Sequence, residues 1–308
     1  MRLDVKVLRD VVYGHAPVNF TQPGGPVEKL LKLDVYLPAG EAEKSALRPT
    51  IIFAFGGAFH RGSKENDSFE SEGGNTSVAD YCMRFARRGY VACAIDYRLV
   101  TDDPDPGATP VLLSSVGIPT SRVDVVRTKM GLPPATPDML WRGIEAASDD
   151  MAAAVRFVCG QAAGWHIDVD RIAIGGFSAG ARTALNAAFG EKVSVAAVVA
   201  LSGVMDAKDL RRHLQPGQRS PAVLLVTALN DLDYVVRDAP LMVSCLHEAG
   251  VDCQHVLVPA CGHFYLAEAQ AIDASGKAAT VEQTIAAFLD RVHDRLCSHP
   301  LLPERATP

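Results

Sequence analysis

The residues best placed for chemistry lie in RIAIGGFSAGA, where Gly176, Phe177, Ser178, Ala179 and Gly180 follow one apolar run and precede an alanine-rich one. This reads as strand, sharp turn and helix, the context that a G-x-S-x-G nucleophile elbow needs. Glycines flank the serine because a chain that reverses so sharply leaves no room for side chains beside it. Such a turn lifts the Ser178 hydroxyl above the sheet and aims the N-terminus of the next helix at the reacting centre. The chemistry this pattern serves is nucleophilic attack by a hydroxyl.

A serine hydroxyl attacks poorly at neutral pH without a base, and the base needs an orienting acid. Of the nine histidines, His247 and His293 fall in helical patterns and His255 in a strand, which reads as surface or packing. His263 differs. It sits in ACGHFY, just after the run CQHVLVP, with Gly262 freeing the backbone beside it. That is the C-terminal edge of a sheet, where α/β active sites assemble. The acid is expected in the turn after AVLLVTA, where Asp231 and Asp233 both stand between Ser178 and His263, in the chain order serine, acid, histidine. Asp231 comes first after the strand and is preferred. Asp233 is the reserve, and one of the two is expected to be a turn or cap residue. Asp206, in LSGVMD, reads as a helix cap.

These groups need a framework. LKLDVYL puts Leu31, Leu33, Val35 and Leu37 on one face at period two, a half-buried strand. The short apolar runs TIIFAF, VACAID, RIAIGG, VAAVVALS, AVLLVTA and CQHVLVP fit strands of a mostly parallel sheet covered by helices on both faces. Helical patterns alternate with them: VADYCMRFARRG, SDDMAAAVRFVCGQAAG with Ser148 and Asp149 as caps, SAGARTALNAAFG, VRDAPLMVSCLHEAG and TVEQTIAAFLDRVHDRL. The alternation predicts a single doubly wound α/β domain over 1–308. Residues 101–137, with seven prolines, break it. A long irregular connection of this kind is expected to be a lid or cap-like insertion.

Composition excludes several classes. The 308 residues are 48% apolar and 21% charged, with a formal charge of -6; this is an ordinary globular balance with no basic footprint for nucleic acid. No apolar run is long enough to span a membrane. The N-terminal stretch lacks the apolar core of a signal peptide, and the seven cysteines show no disulfide or zinc spacing. Scattered thiols without an export signal predict a cytoplasmic location. A homo-oligomer and a monomer fit the composition equally.

Five segments in order resemble an esterase/lipase-type carboxylesterase of the α/β-hydrolase superfamily: GGAFHRGS as the oxyanion loop, AIDYRL, SDDMAAAVRFV with IDVDRIAIGGFSAG, LNDLDYVV and GHFY. The resemblance spans about Leu31 to Leu296 and covers 101–137 least. It implies the α/β-hydrolase fold and a triad of Ser178, His263 and Asp231. It also implies an oxyanion hole from the backbone amides of Gly57, Ala58 and Ala179. Phe55 stands where the family usually has His before the glycines, and Ala181 where the family often has Gly. The loss of that histidine leaves open how the loop is held, with His60 as a tempting substitute.

The expected reaction is hydrolysis of a small or medium-sized ester through an acyl-enzyme, with no metal or organic cofactor. A serine peptidase or amidase and a non-catalytic ligand-binding module are the alternatives. Phe59, Phe264 and Tyr265 stand beside the expected catalytic loops and are candidates to line the substrate pocket. Leu112, Leu113, Val116 and Trp141 are candidates for the rest of its wall.

Overall fold

Apolar runs with no polar alternation must be covered on both faces, and here they become the middle of a ten-stranded sheet. The computed structural model describes residues 3–39, 47–215 and 219–298. The chain runs β1 (Asp4–Val18), β2 (Val27–Ala39), β3 (Arg48–Ala54), α1 (Val78–Ala86), β4 (Val91–Ile95), α2 (Ser121–Lys129), α3 (Pro137–Gly160) and the one-turn α4 (Ala162–Trp165). It continues through β5 (Ile167–Phe177), α5 (Ala179–Phe189), β6 (Ala197–Leu201), α6 (Ala207–His213), β7 (Ala222–Asn230), α7 (Asp233–Glu248), β8 (Cys253–Gly262), β9 (Gln270–Asp273), β10 (Ala278–Thr280) and α8 (Val281–Ser298).

The strand order is β1-β2-β4-β3-β5-β6-β7-β8-β9-β10. Neighbours from β4 to β8 are parallel, whereas β1 with β2, β2 with β4, β8 with β9 and β9 with β10 pair antiparallel. This is the expected mostly parallel sheet. The antiparallel margins are the part that local apolar runs did not announce. β1 alternates exposed and half-buried residues, and β9 and β10 are too short to carry a pattern.

Helices cover both faces. Phe53 of β3 meets Tyr81 and Phe85 of α1. The next residue, Ala54, has its carbonyl so close to Gly180 of α5 that a Cβ there would stand 2.0 Å from the oxygen. Successive residues of β4 and β6 are all buried, and since they point to opposite faces, both faces of the sheet are covered. Arg84 of α1 and Arg88, in the turn just after it, pair with Glu282 of α8.

One expectation is corrected. Helix α3 starts at Pro137, not at Ser148, with the Thr136 hydroxyl accepting from the Met139 amide and proline at the first turn, where its missing N–H costs nothing. The Ser148 hydroxyl instead donates to the Ile144 carbonyl at 2.7 Å and accepts from Asn186 of α5 at 3.1 Å. Ser and Asp favour caps in isolation, but here long-range partners satisfy them within the helix.

Asp150 is the clearest case. Its carboxylate accepts the Arg98 amide at 2.7 Å and the Arg98 Nε at 3.0 Å, and Arg98 reaches on to the carbonyls of Asp105 and Pro17. Both side chains are 1% exposed. The pair ties the end of β4 to α3 and to the start of 101–137. Removing one partner leaves a buried charge uncompensated, typically at a cost of about 3–5 kcal/mol. Asp150→Ala is therefore expected to lower the midpoint of urea unfolding by an amount worth about 3 kcal/mol, since Asp149 also lies 3.6 Å from Arg98. An unchanged midpoint would show that the pair contributes nothing net.

Residues 101–137 lie against the rest of the chain. The Glu145 carboxylate accepts the amides of Val111 and Leu112, and Asp209 accepts that of Leu113. Farther along, Arg122 and Lys129 of α2 join Arg61 on Glu72. Burial alone would raise the Glu72 pKa, but these three cations outweigh it and hold the carboxyl down at about 2.

Candidate active site

At the C-terminal end of β5 the chain turns through Ser178, whose φ is 54°, a strained value for a residue with a side chain. The neighbouring glycines are required by space. A Cβ at Gly176 would stand 2.4 Å from the Ala54 carbonyl oxygen. Ala181, in place of a glycine, fits because Gly203 faces it: a Cβ on Gly203 would come 2.7 Å from the Ala181 methyl.

Three side chains from three strand ends meet here. His263 Nε2 lies 2.9 Å from Ser178 Oγ, and His263 Nδ1 lies 2.6 Å from Asp231 Oδ1. All three residues are buried. Asp231 stays ionised across the neutral range, so Nδ1 carries the proton and donates to it. Nε2 is then the acceptor for the serine hydroxyl. Asp231 also accepts from the Leu232 and Ala228 amides and, at 2.5 Å, from the Ser202 hydroxyl. Burial would raise its pKa, but hydrogen bonds from His263, Ser202 and the Ala228 amide outweigh this and hold it below the ordinary value.

Asp233, the reserve, is exposed in the first turn of α7, where its charge complements the helix dipole. Asp206 caps α6, accepting the Lys208 amide at 2.7 Å. His247 meets the Cys253 carbonyl, and His255 pairs with Thr227. His293 is buried on α8, and burial with the nearby Arg171 charge pushes its pKa down to about 4.

The loop after β3 holds its backbone open. Gly57, Ala58 and Phe59 all have positive φ, at 123°, 57° and 60°. A Cβ at Gly57 would stand 2.0 Å from the Arg61 carbonyl oxygen, so glycine is the residue this turn accepts. The amides of Gly57, Ala58 and Ala179 donate to no acceptor among the described residues. Ala179 opens α5, whose first N–H groups have no partner within the helix.

The Phe55 question has a structural answer. Phe55 stacks on Tyr97 at 4.4 Å, and the Tyr97 hydroxyl donates to the Phe55 carbonyl at 2.8 Å. Asp67 accepts the amides of Gly56 and Val78; burial pushes its carboxyl up to about 6 despite those donors. His60 does point back: its Nδ1 lies 2.7 Å from the Ala58 carbonyl. Its Nε2 lies 2.9 Å from Arg127 Nη1 of α2. A guanidinium can only donate, so Nε2 accepts and Nδ1–H donates to Ala58. Burial, together with the Arg127 charge, keeps the imidazole pKa below its usual value against the pull of the Ala58 carbonyl.

Beside Ser178 opens a cavity of about 40 Å³, room for a few water molecules. Ala58, Phe59, Ser178 and Ala179 are part of its lining. Residues 101–137 do contribute to its wall, but through Ile118, Pro119, Arg122 and Val123. Leu112 is buried, Leu113 and Val116 edge the adjoining groove, and Trp141 packs on the core. From α3 it is Leu140 and Ile144 that reach the cavity, and Arg182 and Tyr234 also line it. Two pocket candidates are therefore corrected. The Tyr265 hydroxyl is tied to the Val226 carbonyl and lies 3.1 Å from Ser202 Oγ, behind the Asp231 carboxylate. Phe264 packs edge-on against His263 at 5.0 Å and is outside the cavity lining. Ser202 escaped notice in the sequence because a serine after a strand looks like any turn serine.

Among the described residues, the one close acidic group, Asp10, Asp34 and Glu65, already surrounds the Lys64 ammonium. No described helix is long and apolar enough to cross a membrane.

The fold is similar to that of esterase 2 from Thermogutta terrifontis, with a TM-score of 0.55, 18% identity, and coverage of 99% of this chain and 95% of that one. The same esterase phosphorylated by paraoxon gives a TM-score of 0.56 at 18% identity, covering 98% and 96%. Esterase B from Lactobacillus rhamnosis gives 0.57 at 14% identity, covering 96% and 88%. At such identities the likeness is one of fold. No curated protein matches the chain in sequence. The BD-FAE family model matches residues 33–110 and 142–241, more than half of the chain and including Ser178 and Asp231. The protein has the α/β-hydrolase fold and belongs to the BD-FAE family.

Proposed function

We propose that the protein is a serine hydrolase of carboxylic esters acting through an acyl-enzyme. The observation that carries this reading is the continuous hydrogen-bonded chain from Asp231 through His263 to Ser178, beside a cavity and three undonated amides. Ser178 Oγ attacks the ester carbonyl carbon as its proton passes to His263 Nε2. The carbonyl π electrons move onto oxygen, and the amides of Ala179 and of Gly57 or Ala58 stabilise that charge. Collapse breaks the bond to the alcohol oxygen, which takes the proton from His263. Water, deprotonated by His263, then attacks the acyl carbon, and the expelled Ser178 oxygen recovers the proton. Asp231 holds the imidazole tautomer and stabilises its charged form.

The small volume of the cavity supports a short or slender acyl group. Residues 101–137 act in this reading as a fixed cap that shapes the cavity. The direct test is labelling of the purified protein by a fluorophosphonate probe. Mass spectrometry is expected to find the adduct on Ser178, and a protein left unlabelled would refute the reading.

The link from α2 to the oxyanion loop gives a second expectation. Arg127 orders His60, which holds the Ala58 carbonyl and so the direction of the amides around it. Loss of one oxyanion donor typically costs about 10²–10³ in turnover, and misdirecting one costs less. Arg127→Met is expected to lower kcat about tenfold on an aryl acetate while KM changes less than threefold. A rise in KM alone would mean that Arg127 shapes the cavity and does not position the loop.

A further inference from the structure

The cavity beside Ser178 has mostly apolar walls, yet it carries charge. Arg182 lies four residues beyond Ser178, in the first turn of α5, the helix for which Ser178 is the N-cap. Both line the cavity. The Arg182 Nε is sealed from solvent without a hydrogen-bond partner. Among the described residues its guanidinium forms no hydrogen bond or ion pair.

That is unusual even within this protein. Arg61 and Arg142 also bury an Nε without an acceptor, but each guanidinium is anchored elsewhere, on Glu72 and on Asp103. Glu145 and Asp209 are acids that feel its charge. Their carboxylates are engaged by the backbone amides of 111–113. Arg122, the second cation on the cavity wall, shares one carboxylate with two other cations. The lining therefore holds two arginines and no acid. Arg182 is half-buried, and its Nε is a buried donor without an acceptor. Such a donor is costly to keep unpaired, and a cation free of acid partners on a cavity wall is what a site needs to receive an anion.

We propose that the substrate is a short ester carrying a carboxylate about one helical turn from the scissile carbonyl, and that Arg182 binds that carboxylate. This rests on the ester-hydrolase reading above and names its substrate class. Arg182 is thereby a specificity residue. The fork of its guanidinium suits a carboxylate in two-point contact, while the apolar wall excludes bulky groups.

The test compares charged esters with neutral ones of the same shape. Monomethyl succinate against methyl succinamate places the charge on the acyl side, and 4-acetoxybenzoate against 4-acetoxybenzamide places it on the alcohol side. Wild-type protein is expected to favour the charged member of one pair by at least tenfold in kcat/KM, and that pair identifies the side. In Arg182→Met the ratio is expected to fall to about one, and in Arg182→Lys to recover in part. Equal rates on both members of both pairs in the wild type would overturn the proposal. So would an equal loss on charged and neutral esters in both variants, because that is a structural effect. Ser178-dependent cleavage of 4-nitrophenyl acetate is run alongside. If it persists while the charge preference is absent, the substrate class fails and the esterase reading stands; if it too is absent, both fail.

Discussion

Ser178→Ala is expected to lower kcat on a simple aryl acetate by on the order of 10⁶. The size of the effect comes from the way the three groups act as one. Without Oγ there is no nucleophile, and the base at 2.9 Å and the acid behind it have nothing to activate. What remains is water attack helped by the oxyanion amides, which is small by comparison. The substitution removes one oxygen and keeps the backbone at Ser178 in its left-handed conformation, so folding is expected to survive. Circular dichroism and the unfolding midpoint check that point. Turnover retained within tenfold in folded Ser178→Ala protein would sink the assignment.

The second large effect separates the two aspartates. Asp231→Asn is expected to cost about 10⁴ in kcat. The carboxylate accepts from four donors: His263, Ser202 and the amides of Ala228 and Leu232. An asparagine NH₂ must face at least one of those donors, and no other described residue holds Nδ1–H in place, so the imidazole loses its tautomer. Asp233→Asn is expected to stay within threefold of wild-type turnover. That side chain is exposed at the start of α7, and losing its charge weakens the helix dipole interaction by about 0.3–1 kcal/mol. Steady-state kinetics on both variants decides the matter, and a larger loss from Asp233→Asn would reverse the assignment. The pH direction follows from Asp231 as well. Its native pKa is depressed, so the stability it contributes is present above the unfolded carboxylate pKa near 3.9 and is lost as pH falls through the lower native value. Activity lost between pH 5 and pH 7 is therefore not due to protonation of Asp231.

The Arg182 and Arg127 expectations share a feature with the one for Asp231. In each case the decisive partner, or the lack of one, lies far away in the chain. Arg127 meets His60 across 67 positions and Ser202 meets Asp231 across 29. Arg182 is conspicuous because nothing in the described fold returns to pair with it.

The sequence by itself determined the elements whose cause is local. GFSAG between an apolar run and an alanine-rich one reads as a sharp turn, because its glycines permit close backbone approaches that side chains forbid, and that singled out Ser178 as the candidate nucleophile. His263 and Asp231 were legible for a similar reason: each stands directly after an apolar run long enough to be a buried strand, and strand ends converge at one edge. The parallel centre of the sheet followed from runs without alternation. Only the tertiary structure decided the rest. Ser148 and Asp150 have the chemistry of caps and became core ties, since Asn186 and Arg98 reach them from other elements. Tyr265 looked like a pocket aromatic and turned out to stand behind the acid. Around Phe55, Tyr97 stacks on the ring and His60, held from α2, meets the Ala58 carbonyl, contacts that no local pattern announced. A side chain's type and its neighbours in the chain fix its propensity and the turn it can make. Which donor meets which acceptor depends on the path of the whole chain, and that path exists only in the packed fold.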